Sequence, residues 1–223
     1  MRVVIFGASG MVGSGVLLEC LEDARVAAVL AVGRHPCGVS HPKVEEALHA
    51  DFFDYTALRP RFAGLDACFF CLGVSAARLD EATYRRLTYD LTLAAARALL
   101  EASPALTFCY VSGQGTDGSG RSRMMWARVK GETENALLAL PFRAAFMVRP
   151  GIIQPLKGVR SKTRLYQAFY TAARPLLPAL RRILPGHVTT TVAVGRAMIR
   201  LALQGDARRV LETRDLNRLA AGA

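Results

Sequence analysis

The residues nearest the N-terminus have the spacing of a phosphate-binding turn. A short apolar run with β-branched residues, Arg2–Phe6, predicts a strand, and glycines follow it at intervals of three residues. In such a turn the first glycine permits a tight bend, the second lets the backbone approach a pyrophosphate, and the third lets the next helix pack on the strand. N–H groups at the helix start would then meet the phosphates. We therefore predict that a dinucleotide binds at Gly7, Ala8, Ser9, Gly10, Met11, Val12 and Gly13.

The end of the second predicted strand bears on which dinucleotide is bound. NAD sites usually place an Asp or Glu there for the ribose hydroxyls, whereas this chain has Arg34 and no acidic residue until Glu45. A guanidinium can bind a 2′-phosphate with two hydrogen bonds, and a carboxylate would repel it. The sequence therefore favours NADP(H). The alternative is that Arg34 only stacks on the adenine, which would accept NAD(H) equally well.

The five cysteines and four histidines predict no metal site. Cys68 and Cys71 have the spacing of a redox or zinc motif, but they fall in a predicted buried strand, where residues three apart point to opposite faces. We interpret both as core residues. The histidines are scattered, and none pairs with cysteines at the spacing of metal ligands.

Apolar strands that alternate with helices must position these residues. After Arg2–Phe6, strands are predicted at Ala27–Val32, Val44–Leu48, Ala67–Leu72, Leu106–Val111, Ala144–Val148 and Arg208–Leu211. Helices are predicted at about Val12–Leu21, Asp80–Glu101, Arg128–Leu140 and Val192–Leu203. Nearly continuous apolar strands between helices indicate a parallel sheet covered on both faces. The predicted fold class is therefore α/β, a doubly wound parallel sheet (Rossmann fold) in a single domain with a small C-terminal substrate or lid region.

Basic residues concentrate in one part of the chain. The formal net charge is +11, and between Asn135 and Gly205 there are eleven Lys and Arg residues and no Asp or Glu. Segment 157–186 is the most basic, and Pro175 and Pro178 interrupt any helix in it. We predict a substrate lid there, with an apolar wall and cationic groups: Tyr166, Phe169, Tyr170, Arg160, Lys162 and Arg164. Peripheral contact with a membrane surface and a homo-oligomer contact stay open as alternatives. Nucleic acid is not expected, because no recognised motif accompanies the charge.

The organisation along the chain follows from these patterns. Residues 1–155 are expected to form the dinucleotide-binding core, and residues 156–223 a C-terminal extension of the same domain. The N-terminus enters a strand at once without an apolar signal segment, and no uninterrupted apolar run has membrane-spanning length. We therefore expect a cytoplasmic location.

Seven segments carry a family resemblance by their order and spacing. They are GASGMVG at 7–13, VGR at 32–34, ADF at 50–52, FCLGVS at 70–75, YVSGQG at 110–115, VKGETE at 129–134 and RPGIIQP at 149–155. Together they resemble the atypical short-chain dehydrogenase/reductase family, and within it the Tat-interacting oxidoreductase-like branch. The resemblance covers nearly the whole chain. It implies a nicotinamide dinucleotide cofactor and oxidoreductase activity.

Matched position by position, the resemblance implies roles for further residues. Ser112, at the end of the fifth main strand, corresponds to the serine that binds the substrate carbonyl. The residues implied at the cofactor are Asp51 and Phe52 beside the adenine, Cys71, Leu72 and Gly73 on the ribose side, Lys130 at the nicotinamide ribose, and Pro150 and Ile152 near the nicotinamide amide.

The sequence departs from the family at the catalytic acid. The family pattern is Tyr-x-x-x-Lys on a helix, in which the lysine lowers the pKa of the tyrosine so that its hydroxyl can exchange a proton. Trp126 stands at the tyrosine position, and an indole N–H donates a hydrogen bond but does not act as a proton acid near neutral pH. Either another group supplies the proton (Tyr84, Tyr89, or Ser112 with a water), or the reaction needs no tyrosine, or the protein binds NADP(H) without turnover.

We therefore expect an NADP(H)-binding oxidoreductase of atypical short-chain type that acts on an apolar or acidic small molecule. The alternative is a non-catalytic redox-sensing or regulatory protein that binds the same dinucleotide.

Overall fold

A seven-stranded parallel sheet organises the chain in the computed structural model, which describes residues 1–159, 183–184 and 186–222. The strands are β1 (Arg2–Phe6), β2 (Ala28–Gly33), β3 (Val44–Leu48), β4 (Ala67–Phe70), β5 (Thr107–Val111), β6 (Ala144–Arg149), β7 (Ile152–Gln154), β8 (Val188–Thr190) and β9 (Val210–Glu212). The main sheet has the order β3-β2-β1-β4-β5-β6-β9, and β7 pairs with β8 separately. This order is that of a doubly wound Rossmann sheet with one added edge strand, which confirms the predicted fold class.

Helices follow the strands in alternation. They are α1 (Met11–Glu22), α2 (Arg59–Phe62), α3 (Glu81–Arg85), α4 (Leu91–Ala102), α5 (Met125–Ala139), α6 (Thr191–Gln204) and α7 (Thr213–Ala221). A 3₁₀ turn, Thr56–Leu58, precedes α2, and a π-helical turn, Arg86–Asp90, joins α3 to α4. In the described ranges, no helix combines the length and the apolar character needed to span a bilayer.

Two hydrophobic cores lie on the two faces of the sheet. Successive residues of a strand point to opposite faces, so Val3 packs with residues of α1, α6 and α7, whereas Val4 packs with residues of α2, α4 and α5. Cys68 belongs to the second core and Cys71 packs against the first. The two cysteines therefore face apart, which confirms their interpretation as core residues rather than a pair.

Helices α1 and α6 approach each other closely on the first face. A Cβ on Gly15 would lie 2.5 Å from the Cβ of Thr191, so only glycine permits this contact. The carboxylate of Glu19 is buried at the same interface and receives hydrogen bonds from Lys157 Nζ at 2.5 Å and Arg196 Nε at 2.9 Å. These ion pairs tie the start of the basic segment and the C-terminal extension to the first helix.

The structure differs from the sequence predictions at several places, and two of its helices, α2 and α7, were not predicted. α5 begins at Met125, earlier than predicted, because Met124 at its N-cap provides no side-chain cap that could mark the boundary. The helix predicted from Asp80 forms, with Asp80 capping it through Thr83 N at 2.8 Å, but the π-helical turn interrupts it. The short pair β7–β8 had no alternating pattern long enough to predict. The aromatic and basic residues of the predicted lid, from Arg160 to Tyr170, lie outside the described residues.

Candidate functional site

The glycine-rich turn between β1 and α1 is too crowded for other residues at two positions. Gly7 has φ of 83°, a conformation that favours glycine, and a Cβ there would lie 3.0 Å from the carbonyl carbon of Cys71. A Cβ on Gly13 would lie 2.1 Å from Gly7 O. Gly10 is less crowded, with Gly7 O at 3.3 Å from its Cβ position. The first and third glycines therefore bring α1 directly against the end of β1.

The start of α1 presents its N–H groups without a competing side chain. Gly10 is the N-cap, makes no side-chain capping bond, and is followed by no acidic residue in the first turn. The first N–H groups of a helix have no partner within the helix, and they lie at the positive end of its dipole. The turn therefore has the geometry and the charge of an anion-binding site.

Two opposite charges flank the end of β2. Arg34 is exposed directly after the strand. Glu46 of β3 reaches the same loop, where its Oε1 accepts a hydrogen bond from Cys37 N at 2.6 Å. Hydrogen bonds from Cys37, from its thiol and its backbone N–H, lower the pKa of Glu46. Sequence analysis missed Glu46, because only the pairing of β3 with β2 brings it beside a pocket lined by Ser9 and His35.

The residues implied at the adenine and ribose lie along the same edge. Cys71 N donates to Phe6 O at 2.9 Å, so Cys71, Leu72 and Gly73 leave β4 beside the glycine-rich turn. Burial raises the pKa of the Cys71 thiol to about 12, which keeps it neutral. Asp51 is exposed and accepts a hydrogen bond from Phe53 N at 2.9 Å.

The ring of Phe52 is committed to the core. It is 6% exposed and packs edge-on against Phe6 at a centroid distance of 6.5 Å and against Tyr55 at 6.2 Å. Only the backbone of Phe52 is therefore available to a ligand in this arrangement. The role implied beside the adenine stays a prediction for both Asp51 and Phe52.

Three side chains on one face of α5, spaced four residues apart, lie against the end of β5. The ring of Trp126 lies against Gly115, with Cη2 3.3 Å from the Cβ position of that glycine. Lys130 Nζ donates to the carbonyl oxygen of Ser112 at 2.5 Å. Glu134 Oε1 accepts from Ser112 Oγ at 2.5 Å. The helical repeat therefore places tryptophan, lysine and glutamate in a row along the strand exit.

Lys130 lies in a low-dielectric environment. Burial lowers its pKa to about 8, and the nearby carboxylate of Glu134 opposes this shift. Its ammonium group also lies 5.9 Å from the centroid of the Tyr110 ring. Lys130 is therefore protonated at neutral pH, and it can lose its proton more readily than an exposed lysine.

The hydroxyl of Ser112 belongs to a buried charge network. Glu134 is 1% exposed and forms a two-pronged ion pair with Arg149, with Nη2 to Oε2 at 2.5 Å and Nε to Oε1 at 3.0 Å. Arg149 Nη1 also reaches Glu212 at 3.1 Å. Since a carboxylate only accepts hydrogen bonds, the Ser112 proton points at Glu134. Ser112 can therefore accept a bond from a ligand but has no second proton to donate to a carbonyl.

A further polar pair lies beside the end of β6, and sequence analysis missed it. Gln114 N donates to Pro150 O at 3.0 Å, and Gln114 Oε1 lies 3.2 Å from Nδ1 of His187. His187 O in turn accepts from Ile152 N at 2.8 Å. The pair thus joins the residues implied at the nicotinamide, Pro150 and Ile152, to the start of β8. The glycines on both sides of Gln114 were the only local signal.

The two tyrosines considered as proton donors lie in different environments. Tyr84 is 1% exposed, and burial raises its pKa. Tyr89 is half-buried within the π-helical turn, with the guanidinium of Arg85 4.2 Å above its ring. Tyr84 is therefore closed to solvent, whereas Tyr89 is partly exposed. In the described part of the chain, no group of three or more His, Cys, Asp or Glu could hold a metal ion.

Comparison with known proteins places this site in a family context. No family model matches the chain. The rat protein HTATIP2 (Rattus norvegicus) is 31% identical over 157 residues, 68% of this chain and 62% of that protein. Protein fmp52-2, mitochondrial, from Aspergillus oryzae is 26% identical over 220 residues, 96% of this chain and 95% of that protein. These homologues are relatives from the atypical short-chain dehydrogenase/reductase family. The resemblance inferred from the seven segments is confirmed.

Solved structures share the fold of this chain at low sequence identity. The structure of gox2253 has a TM-score of 0.68 at 16% identity and covers 94% of this chain and 68% of that chain. The dTDP-glucose 4,6-dehydratase DesIV from Streptomyces venezuelae, solved with NAD and TYD bound, has a TM-score of 0.67 at 13% identity. It covers 100% of this chain and 80% of that chain. At these identities the likeness establishes the fold alone.

The names of the fungal family members contradict the cytoplasmic location expected from the sequence. Relatives from Debaryomyces hansenii, Chaetomium globosum and Eremothecium gossypii are named FMP52, mitochondrial, and the expectation is wrong. It depended on the lack of an apolar signal segment, which tests only for secretory targeting. Segments that direct proteins to mitochondria are amphipathic and rich in arginine, so that test does not detect them.

Proposed function

We propose that the chain binds NADP(H) along the carboxyl ends of β1, β2 and β4 and acts as an oxidoreductase on an apolar or acidic small molecule. The observation that carries the proposal is the glycine-rich turn, in which Gly7 and Gly13 are sterically required and the start of α1 is open to an anion. These features fit a pyrophosphate. Segment 157–186 would cover the substrate, and contact with a membrane surface or a second copy are its alternatives.

Different residues of the chain would bind different parts of the cofactor. The N–H groups from Met11 to Gly13 would bind the pyrophosphate, since Gly10 N already donates to Gly7 O at 2.9 Å, and Asp51 would lie at the adenine. Arg34 would bind the 2′-phosphate against the opposing charge of Glu46. The other proposed contacts are Cys71, Leu72 and Gly73 at the ribose, Lys130 at the nicotinamide ribose, and Pro150 and Ile152 at the amide. When bound, the nicotinamide supplies or accepts the hydride.

The alternative function is a dinucleotide-binding regulator without turnover. Two observations favour it: Trp126 cannot serve as the proton acid, and the Ser112 hydroxyl donates to Glu134 rather than toward a substrate. A screen of apolar and carboxylate-bearing aldehydes, ketones and alcohols separates the two functions. Tight NADPH binding without turnover of any compound would favour the regulator.

The first experiment uses Trp126, the single tryptophan. We would titrate the protein with NADPH and with NADH and follow tryptophan quenching and energy transfer to the reduced nicotinamide. We expect saturable transfer and tighter binding of NADPH. Arg34→Gln should remove the preference for NADPH, because Glu46 then acts on the 2′-phosphate unopposed, while NADH binding stays unchanged. Calorimetry that detects neither nucleotide would overturn the dinucleotide proposal.

A further inference from the structure

The amide of Gln114 fixes which nitrogen of His187 carries a proton. Gln114 Nε2 donates to Gly186 O at 3.3 Å, and a backbone carbonyl can only accept, so the amide nitrogen must face Gly186. The amide oxygen Oε1 then faces His187 Nδ1 at 3.2 Å. Since this oxygen also only accepts, Nδ1 must be the protonated nitrogen. In the neutral ring, Nε2 is therefore left as a base.

The surrounding backbone holds this pair in place. A Cβ on Gly151 would lie 2.3 Å from His187 O and 2.6 Å from Gln114 Oε1, so glycine is required where the two residues meet the end of β6. Gln114 itself lies between Gly113 and Gly115, whose φ values are 149° and 90°. His187 is exposed, so its ring can be reached from solvent or by a ligand.

The pair lies on the edge of the sheet where neither Trp126 nor Ser112 can supply a proton to a substrate. Gln114 follows Ser112 by two residues, and its N–H donates to Pro150 O, so the pair is on the same edge as the β5 and β6 exits. On that edge Trp126 provides no titrating proton, and the Ser112 proton is directed at Glu134. An imidazole is the side chain that most readily exchanges protons near neutral pH.

We propose that His187 Nε2 exchanges the proton with the substrate and that Gln114 is the residue that positions it. This inference rests on the proposed oxidoreductase function. In carbonyl reduction, the carbonyl carbon gains a hydride from a reduced nicotinamide and the C=O π bond breaks. The oxygen then takes the proton of the His187 imidazolium at Nε2. The neutral ring keeps the Nδ1 proton, which it donates to Gln114 Oε1. It then takes up a new proton at Nε2 from water.

The tautomer can be measured without any cofactor. Long-range nitrogen–proton NMR spectra of the four histidines, assigned with the His187→Gln variant, report which nitrogen carries the proton. We expect neutral His187 to be protonated at Nδ1 in the wild-type protein and to lose this preference in Gln114→Ala. A wild-type His187 protonated at Nε2 would overturn the proposal.

Enzyme activity provides the second test of the proposal. The first substrate to be assayed is 4-nitrobenzaldehyde. We expect His187→Gln to lower kcat/KM by at least about 100-fold, with NADPH affinity unchanged, and imidazole in solution to restore activity to His187→Ala. His41→Gln, in the loop before β3, is the matched control and should keep wild-type rates. Activity of His187→Gln within twofold of wild type would overturn this inference and leave the proposed function intact. A wild-type protein that turns over no compound would overturn both.

Discussion

The two glycine-rich turns at the carboxyl edge of the sheet use their polar groups in opposite ways. In the first, Gly7–Gly13, the glycines are crowded by backbone, and the helix start makes no side-chain capping bond. In the second, residues 113–120, the side chains are bonded within the protein. Thr116 Oγ1 donates to Gly113 O at 2.7 Å, and Asp117 accepts from Ser119 N at 2.9 Å and Ser122 N at 2.6 Å.

This difference in hydrogen bonding indicates which turn can bind a ligand and which positions protein side chains. Hydrogen bonds, first from the Ser119 side chain, lower the pKa of Asp117 to about 2, so this carboxylate is charged at neutral pH and accepts the bonds within the second turn. A Cβ on Gly131 of α5 would lie 1.9 Å from Asp117 O, so the turn packs directly on the helix that carries Lys130 and Glu134. The first turn is therefore open to a ligand, whereas the second positions protein side chains.

The largest expected effect is loss of ligand binding from the first turn. Gly13→Ala places a methyl group on Gly7 O and must displace α1, so we expect NADPH binding to become undetectable by calorimetry. Gly118→Ala in the second turn is the control, because its Cβ meets only the side chain of Asn135, with Oδ1 at 3.1 Å, which can move. Unaltered binding by Gly13→Ala would show that the two turns are not specialised in this way.

The second prediction concerns the stability that the Ser112 network, just before the second turn, gains from Glu134. Glu134→Ala leaves Arg149 without its main partner and removes the acceptor of Ser112, and breaking a buried pair costs about 3–5 kcal/mol of unfolding free energy. Glu132→Ala, on the same helix, removes the exposed Arg85–Glu132 pair and should cost at most about 1 kcal/mol. Urea denaturation measures both. Equal costs would mean that the Ser112 network does not stabilise the fold.

The smallest expected effect is a pH dependence from Lys130. Its folded pKa of about 8 lies below that of an exposed lysine, so between these values the unfolded chain binds the extra proton. The unfolding free energy of the wild type relative to Lys130→Met should therefore rise with pH above about 8, by no more than about 3 kcal/mol. It should be constant below pH 7. Denaturation at a series of pH values measures the difference, and a difference that falls above pH 8 would contradict the buried environment of Lys130.

The sequence by itself determined the features that depend on short stretches of chain. Gly7 and Gly13 stand out because a tight turn and a close helix can be recognised from a few neighbouring residues. Strands β1, β2, β4, β5 and β6 follow from short apolar runs, and α1 from the turn that opens it, so their order and the doubly wound sheet could be predicted. The replacement at Trp126 was equally visible, because it is a matter of residue type at one position.

Only the tertiary structure decided how the polar side chains are used. Ser112 and Glu134 are 22 residues apart, and Gln114 and His187 are 73 apart, so no local pattern links them. Glu46 comes to the end of β2 only through the pairing of β3 with β2. Periodicity predicts which face of an element is buried, but a hydrogen bond depends on distances between elements that the sheet order sets. The glycine-rich turn proposed to bind the dinucleotide could therefore be predicted from the sequence, and the hydrogen bond from Ser112 to Glu134 could not.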